Sequence, residues 1–204
     1  MKKYILLHIL LITLFCNTFQ FTSAQSEITG TYNFSNLTGN QLRDFTKDAS
    51  WQGTHFEYMY NFPNKIAIGV VSGFHSFYEK RDRTTYYFQS GAATGVTWRY
   101  LLTIPLISTV KYNFEGGAVK PYIGAGMGVT FVTQELDVAD YEMSEQRAPF
   151  SLLAEAGLKI PVSRGASVLF NTKYNWATYK PEHFKADNLG YITVGLGMSF
   201  LFDR

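Results

Sequence analysis

The stretch Gly190-Tyr191-Ile192-Thr193-Val194-Gly195-Leu196-Gly197-Met198-Ser199-Phe200-Leu201-Phe202 decides the fold. Its even positions are Ile192, Val194, Leu196, Met198, Phe200 and Phe202; its odd positions are mostly small or polar. A strand sends successive side chains to opposite faces, so a period of two marks a sheet with one large apolar face.

The same alternation recurs upstream, over residues 28–37, 55–62, 66–75, 98–112, 122–131, 150–160 and 167–176. With 190–202 this makes eight segments, an even number, most of them long enough for a tilted spanning strand of about 9–11 residues. Short connections at Pro63-Asn64-Lys65, Glu115-Gly116-Gly117-Ala118 and residues 161–165 alternate with long ones at 38–50, 79–96, 134–149 and 179–188. Short periplasmic turns and long outer loops characterise outer-membrane barrels. The expected fold is therefore all-β, an eight-stranded antiparallel up-and-down transmembrane β-barrel. Its rival is a soluble eight-stranded barrel with its apolar face inside. Here charged residues share a face with glycine and aromatics occupy the other, the polarity that lipid demands.

The N-terminus adds an address. Lys2 and Lys3 precede an apolar run over residues 4–15, and Thr22-Ser23-Ala24 precedes Gln25. The run is too short to span and reads as a signal peptide over residues 1–24, cleaved after Ala24, leaving 25–204 as one barrel domain. Cys16 offers a lipoprotein alternative, set against by the bulky Phe15 before it. The full chain has 18 Lys+Arg and 16 Asp+Glu, and the leader removes two lysines and no acid. A neutral mature chain argues against nucleic acid as a partner. Its single cysteine leaves with the leader, so no disulfide framework is expected.

Two parts of the sequence resemble a known family. Tyr100-Leu101-Leu102-Thr103-Ile104-Pro105-Leu106-Ile107 runs on to Lys111-Tyr112-Asn113-Phe114, and a short turn leads to Lys120-Pro121-Tyr122-Ile123-Gly124-Ala125-Gly126. These strands resemble the PorT-like outer-membrane β-barrels of Bacteroidetes. The resemblance implies a small barrel in a Gram-negative outer membrane; the family's name derives from a member implicated in type IX secretion. The chain departs from the usual aromatic ending in that Phe202 is followed by Asp203 and Arg204. Pro105 lacks an N–H, so a bulge or an irregular bond is expected there, without a net register shift.

Several constellations are candidates for chemistry. Parity places Glu57 and Glu155 inside with Arg99, Lys111, Lys159 and Lys173, two acids against four bases. An eight-stranded barrel is just wide enough to be filled by side chains, so these read as a polar plug or as a narrow anion-leaning channel. Pairing Ile160 with Ala166 puts Glu155 diagonal to Lys173. His55 and His75 form the sharpest cluster: the turn at Pro63 sets Gly73 opposite His55 and Gly53 opposite His75, so the imidazoles become diagonal neighbours. They read as a structural network with Glu57, or as a proton-linked gate or hydrolytic site. Ser76 points away from His75, and no nucleophile–base pair is expected on one face. Gly124, Gly126 and Gly128 read as close packing rather than a phosphate loop. The run from Glu135 to Arg147 carries Glu135, Asp137, Asp140, Glu142 and Glu145, a solvated loop or a site for divalent cations that bridge lipopolysaccharide. No spacing suggests a structural metal or a cofactor.

The sequence thus leads to a non-enzymatic outer-membrane anchor or interaction module acting through its outer loops. A narrow porin-like pore and a membrane-embedded lipid-modifying enzyme are the alternatives. Expected partners are outer-membrane lipid, lipopolysaccharide, the barrel-insertion machinery and another envelope protein.

Overall fold

The computed structural model describes residues 25–88, 91–138, 141–182, 184 and 186–202. The expected leader (1–24), Asp140, Asp203 and Arg204 lie outside the described residues. In chain order the elements are β1 (Gln25–Thr38), α1 (Asn40–Phe45), β2 (Ser50–Asn61), β3 (Ile66–Phe88), β4 (Gly91–Asn113), β5 (Lys120–Val138), β6 (Tyr141–Arg147), β7 (Phe150–Pro161), β8 (Ala166–Ala177) and β9 (Leu189–Phe202). Each strand pairs antiparallel with its neighbour, and β9 closes on β1 from Ser26 opposite Phe202 to Thr38 opposite Gly190.

Nine strand segments make eight staves. Val132 pairs with Arg147 on β6, and Val129 with Phe150 on β7, so β6 and β7 keep one register along β5. They are one stave interrupted at Ala148 and Pro149, where proline supplies no ladder donor. At Pro105 the expected irregularity takes a mild form. Ser72–Leu106 and His75–Thr103 are in the same register on either side of it, and Pro105 stays in step with Thr130 on β5. There is no bulge.

Parity survives throughout the wall. Large apolar side chains face outward and are exposed, among them Phe56 (62%), Met127 (61%) and Leu196 (60%). A soluble barrel would hide this face; lipid covers it here. Along β4 the apolar face runs from Tyr112 to Leu102, ten residues or about 33 Å of strand. With the usual tilt that is about 25 Å of height, the thickness of a barrel's apolar band.

Two expected loops are strands instead. Residues 79–88 and 91–96 continue β3 and β4, with a register shift between Arg81 and Thr84, and residues 134–138 and 141–147 belong to β5 and β6. Above the membrane both faces of a strand meet water, so the polar/apolar alternation fades while the backbone ladder continues. At the other end, the turn Pro63-Asn64-Lys65 is as expected: the Phe62 N–H donates to the Ile66 carbonyl at 2.8 Å. Lys65 takes φ 70°, the left-handed residue that closes a three-residue hairpin.

The outer mouth is filled. Leu42 of α1, Tyr179 and Ala186 pack inside against Leu37, Phe77, Leu101 and Tyr191.

Candidate functional site in the barrel lumen

The inward parity of β2, β4, β7 and β8 brings four charges into a ring. The Glu57 carboxylate contacts both Lys111 and Lys173. Lys111 Nζ lies 3.0 Å from Glu155 Oε2, and Lys173 Nζ 3.9 Å from Glu155 Oε1. Signs alternate round the ring, and all four side chains are buried. Tyr122 donates to Glu155 Oε1 at 2.7 Å, and Asn171 Nδ2 donates to the same atom at 3.2 Å. Such donors satisfy the lone pairs that a buried ion pair leaves over.

Glu155 and Lys173 are direct cross-strand partners, because Ile160 pairs with Val168 and not with Ala166. The sequence register is two residues out there: the turn carries its pairing in to Pro161 opposite Ser167, with the Val162 N–H bonded to the Ala166 carbonyl.

The histidines extend the ring upward. His55 faces Gly73 and His75 faces Gly53, as the hairpin register requires. A Cβ on Gly73 would sit 2.6 Å from His55 Cδ2, and one on Gly53 2.6 Å from His75 Nδ1, so glycine is needed at both positions. The two Nε2 atoms are 2.9 Å apart. Lys173 Nζ is 3.3 Å from His55 Nδ1, and Ser35 Oγ is 2.7 Å from His75 Nδ1. Donor logic assigns the tautomers. A lysine ammonium only donates, so His55 Nδ1 accepts and its Nε2 carries the proton. His75 Nε2 then accepts from His55, and His75 Nδ1–H donates to Ser35.

Two residues were not found from the sequence. Ser35 gives His75 a hydroxyl on the same inner face, which corrects the expectation that no such pair exists. Both are wholly buried, and His75 acts as the donor, so the serine is not activated. Glu27 is the second. Lys159 Nζ binds it at 2.6 and 2.9 Å, and Asn61 Nδ2 donates to it at 3.0 Å. Beginning β1 at Ile28 hid Glu27; the inward parity of Thr29, Thr31 and Ser35 points to it.

Arg99 does not join the lumen ring. Its Nη1 donates to the carbonyls of Asp44 and Phe45 at 2.9 and 2.7 Å, and its guanidinium lies 5.2 Å from the Phe45 ring centre. It is a cation at the C-terminal end of α1, holding that helix in the mouth. The inventory becomes Glu27, Glu57 and Glu155 against Lys111, Lys159 and Lys173, with no excess of either sign.

The acidic run is distributed along the β5–β6 hairpin. Glu145 binds Arg147 at 2.9 Å and accepts from the Glu182 N–H at 2.8 Å. Among the described residues no three acidic, histidine or cysteine side chains gather as a metal would need.

A closed barrel with an apolar outer band and a charged, side-chain-filled interior defines the class of integral outer-membrane β-barrel proteins. The chain belongs to the outer membrane protein beta-barrel domain family, whose model matches residues 8–201. No curated protein matches it. Its fold is similar to a major outer membrane protein from Thermus thermophilus, with TM-score 0.58 and 10% identity over 89% of this chain and 100% of that one. Neisserial surface protein A gives 0.53 and 13% over 88% and 97%. OprG from Pseudomonas aeruginosa gives 0.50 and 15% over 89% and 94%. These likenesses establish the fold; the outer-membrane location follows from the family match.

Proposed function

We propose that the protein is a non-enzymatic outer-membrane barrel, sealed across its lumen, that anchors and presents its outer hairpins to another envelope protein. The observation that carries this reading is the lumen itself. Glu57, Glu155, Lys111, Lys173, His55 and His75 are each at most 5% exposed, whereas a water-filled pore would leave them accessible. The balance of three acids and three lysines also removes the motive for an anion path. In this reading the leader directs export and is cleaved after Ala24, and the insertion machinery and lipopolysaccharide are the partners met on the way. In this reading the chain is a PorT-like barrel, supported by the resemblance of its Tyr100–Ile107 and Lys120–Gly126 strands.

Planar bilayers test the seal: purified protein is expected to give no conductance steps, and stable single-channel steps would make it a pore. Orientation is tested on whole cells. Cysteine at Glu142, on exposed β6, is expected to label with an impermeant thiol reagent, and cysteine at Gly116 is not; the reverse pattern removes the presentation role. Crosslinking from cysteine at Glu142 followed by mass spectrometry then names the partner.

A further inference from the structure

The wall opens where β2 parts from β3. The two strands pair up to Gln52 opposite Ser76. Beyond that β3 continues with β4, while β2 follows β1, with Ser50 opposite Ser35. The parting leaves a cleft of about 470 Å³ on the outward surface, with Asp48 and Trp51 along one side, Gln52 and Ser76 in its lining, and Tyr78 and Tyr100 along the other. The two tyrosine rings are 5.1 Å apart at 38°. Trp51 is 68% exposed, packs on Phe34 with ring centres 4.6 Å apart, and has its carbonyl held by the Tyr32 hydroxyl.

Shape and lining separate this cleft from the aromatic belt of the membrane interface. Phe74 and Ile104 are exposed apolar residues of the lipid face, and the row above them is Gln52, Ser76 and Leu102. Tyr78 is four residues above Phe74, about 13 Å along the strand. The Ser76–Leu102 row tops the apolar band, so at the usual barrel tilt Tyr78 stands roughly 5 Å above it, at the level of the headgroups and their sugars. Belt aromatics meet lipid from a convex wall. These rings line a concavity that also holds a carboxylate, an amide and a serine hydroxyl. Apolar faces with a few placed polar groups are what a small-molecule site requires, and this pairing of flat rings with hydrogen-bonding side chains suits a sugar ring, whose C–H face is apolar and whose edge is all hydroxyl.

We propose that the cleft binds the saccharide headgroup of a glycolipid in the surrounding outer leaflet. Tyr78 and Tyr100 take the C–H face of one sugar ring, and Asp48 and Gln52 take its hydroxyls. The cleft opens sideways over the lipid, so the ligand arrives with its membrane anchor in the same leaflet. The inference rests on the outward placement of the β3–β4 wall and is independent of whether the lumen conducts.

The test uses the folded barrel in phospholipid nanodiscs, carrying intact lipopolysaccharide or supplied with the core oligosaccharide freed of its acyl chains. Affinity and tyrosine ring resonances are read together, and heat-modifiable mobility confirms folding of every variant. Both probes are expected to shift Tyr78 and Tyr100, the intact glycolipid binding more tightly. Tyr100→Ala is expected to weaken the freed oligosaccharide about tenfold, as loss of one stacked ring predicts. Tyr100→Phe, which keeps the ring, retains binding, and Asp48→Ala weakens it. Absence of any shift with either probe overturns the proposal. So does intact lipopolysaccharide binding that is indifferent to Tyr100→Ala, since acyl chains on the wall would then be holding it. Freed oligosaccharide binding as tightly as the glycolipid overturns the membrane source.

Discussion

His55 and His75 share one proton between Nε2 atoms 2.9 Å apart, each ring seated over a glycine on the opposing strand. The direction of that bond is fixed from below by Lys173 and ends above at Ser35. Nitrogen NMR is expected to find His55 protonated on Nε2 and His75 on Nδ1. The opposite pair of tautomers would mean that Lys173 does not reach His55. Replacing both histidines by glutamine is expected to leave a folded barrel with any cellular role intact. Loss of a pH-dependent activity between about pH 5 and 8 in a folded double variant would instead make the pair a gate.

Glu57 is the most exacting position in the ring, because two lysines depend on it. Glu57→Gln leaves Lys111 and Lys173 facing one remaining carboxylate. Removing one partner of a buried pair costs about 3–5 kcal/mol, read as a lowered urea midpoint in vesicles. Glu57→Gln with Lys111→Met restores the balance and is expected to recover part of that loss. A loss in the double variant equal to the sum of the separate Glu57→Gln and Lys111→Met losses would show that the ring is not energetically coupled.

Leu196 and Thr193 test the wall's polarity three residues apart. Leu196 is 60% exposed toward lipid, and Thr193 is fully buried in the lumen. Leu196→Arg is expected to cost about 2–4 kcal/mol in a bilayer and to be much milder in a detergent that lets the arginine reach water. Thr193→Arg should harm both equally, through overpacking. Unchanged unfolding of Leu196→Arg in vesicles would invert the assignment.

Acid should loosen the outer mouth first. Burial of Glu79 works against its charge, but the Arg81 Nε–H at 2.6 Å and the Lys47 N–H at 2.6 Å outweigh this and hold the carboxyl below its ordinary 4.5. A carboxyl depressed in the folded state adds stability above its unfolded value, and that stability is lost as pH falls through the lower folded value. The Lys47 amide resonance is therefore expected to be flat from pH 7 to about 5 and to move below 4.5. A midpoint at or above 4.5 would mean the contact is absent in solution.

The membrane part of the fold was legible because lipid imposes a rule on every second residue. Gly190 to Phe202, the Pro63 turn and the glycines opposite the histidines all follow from parity and one hairpin length. Legibility stopped where lipid stops. Residues 84–88 and 141–147 form strands that have no lipid-facing side to alternate. Within the site, parity gave the inward set but not who meets whom. Glu155 and Lys173 required a turn length that Pro161 and Gly165 do not specify. Arg99 is inward like the others, yet sits too high to reach the ring, and the helix it holds carries no periodic signal long enough to read.

The lumen pairs join segments far apart in the chain: Glu27 with Lys159 across 132 residues, and Glu57 with Lys173 across 116. An open, partly paired sheet keeps these groups in water, each with its own hydration. Sealing β9 to β1 strips water from all of them in one event, and only the right register lets every acid find its lysine. A stave slipped by two residues would strand at least one ion in a dry interior. The charges therefore work as a combination lock on closure, rejecting misregistered cylinders that the apolar band alone would accept.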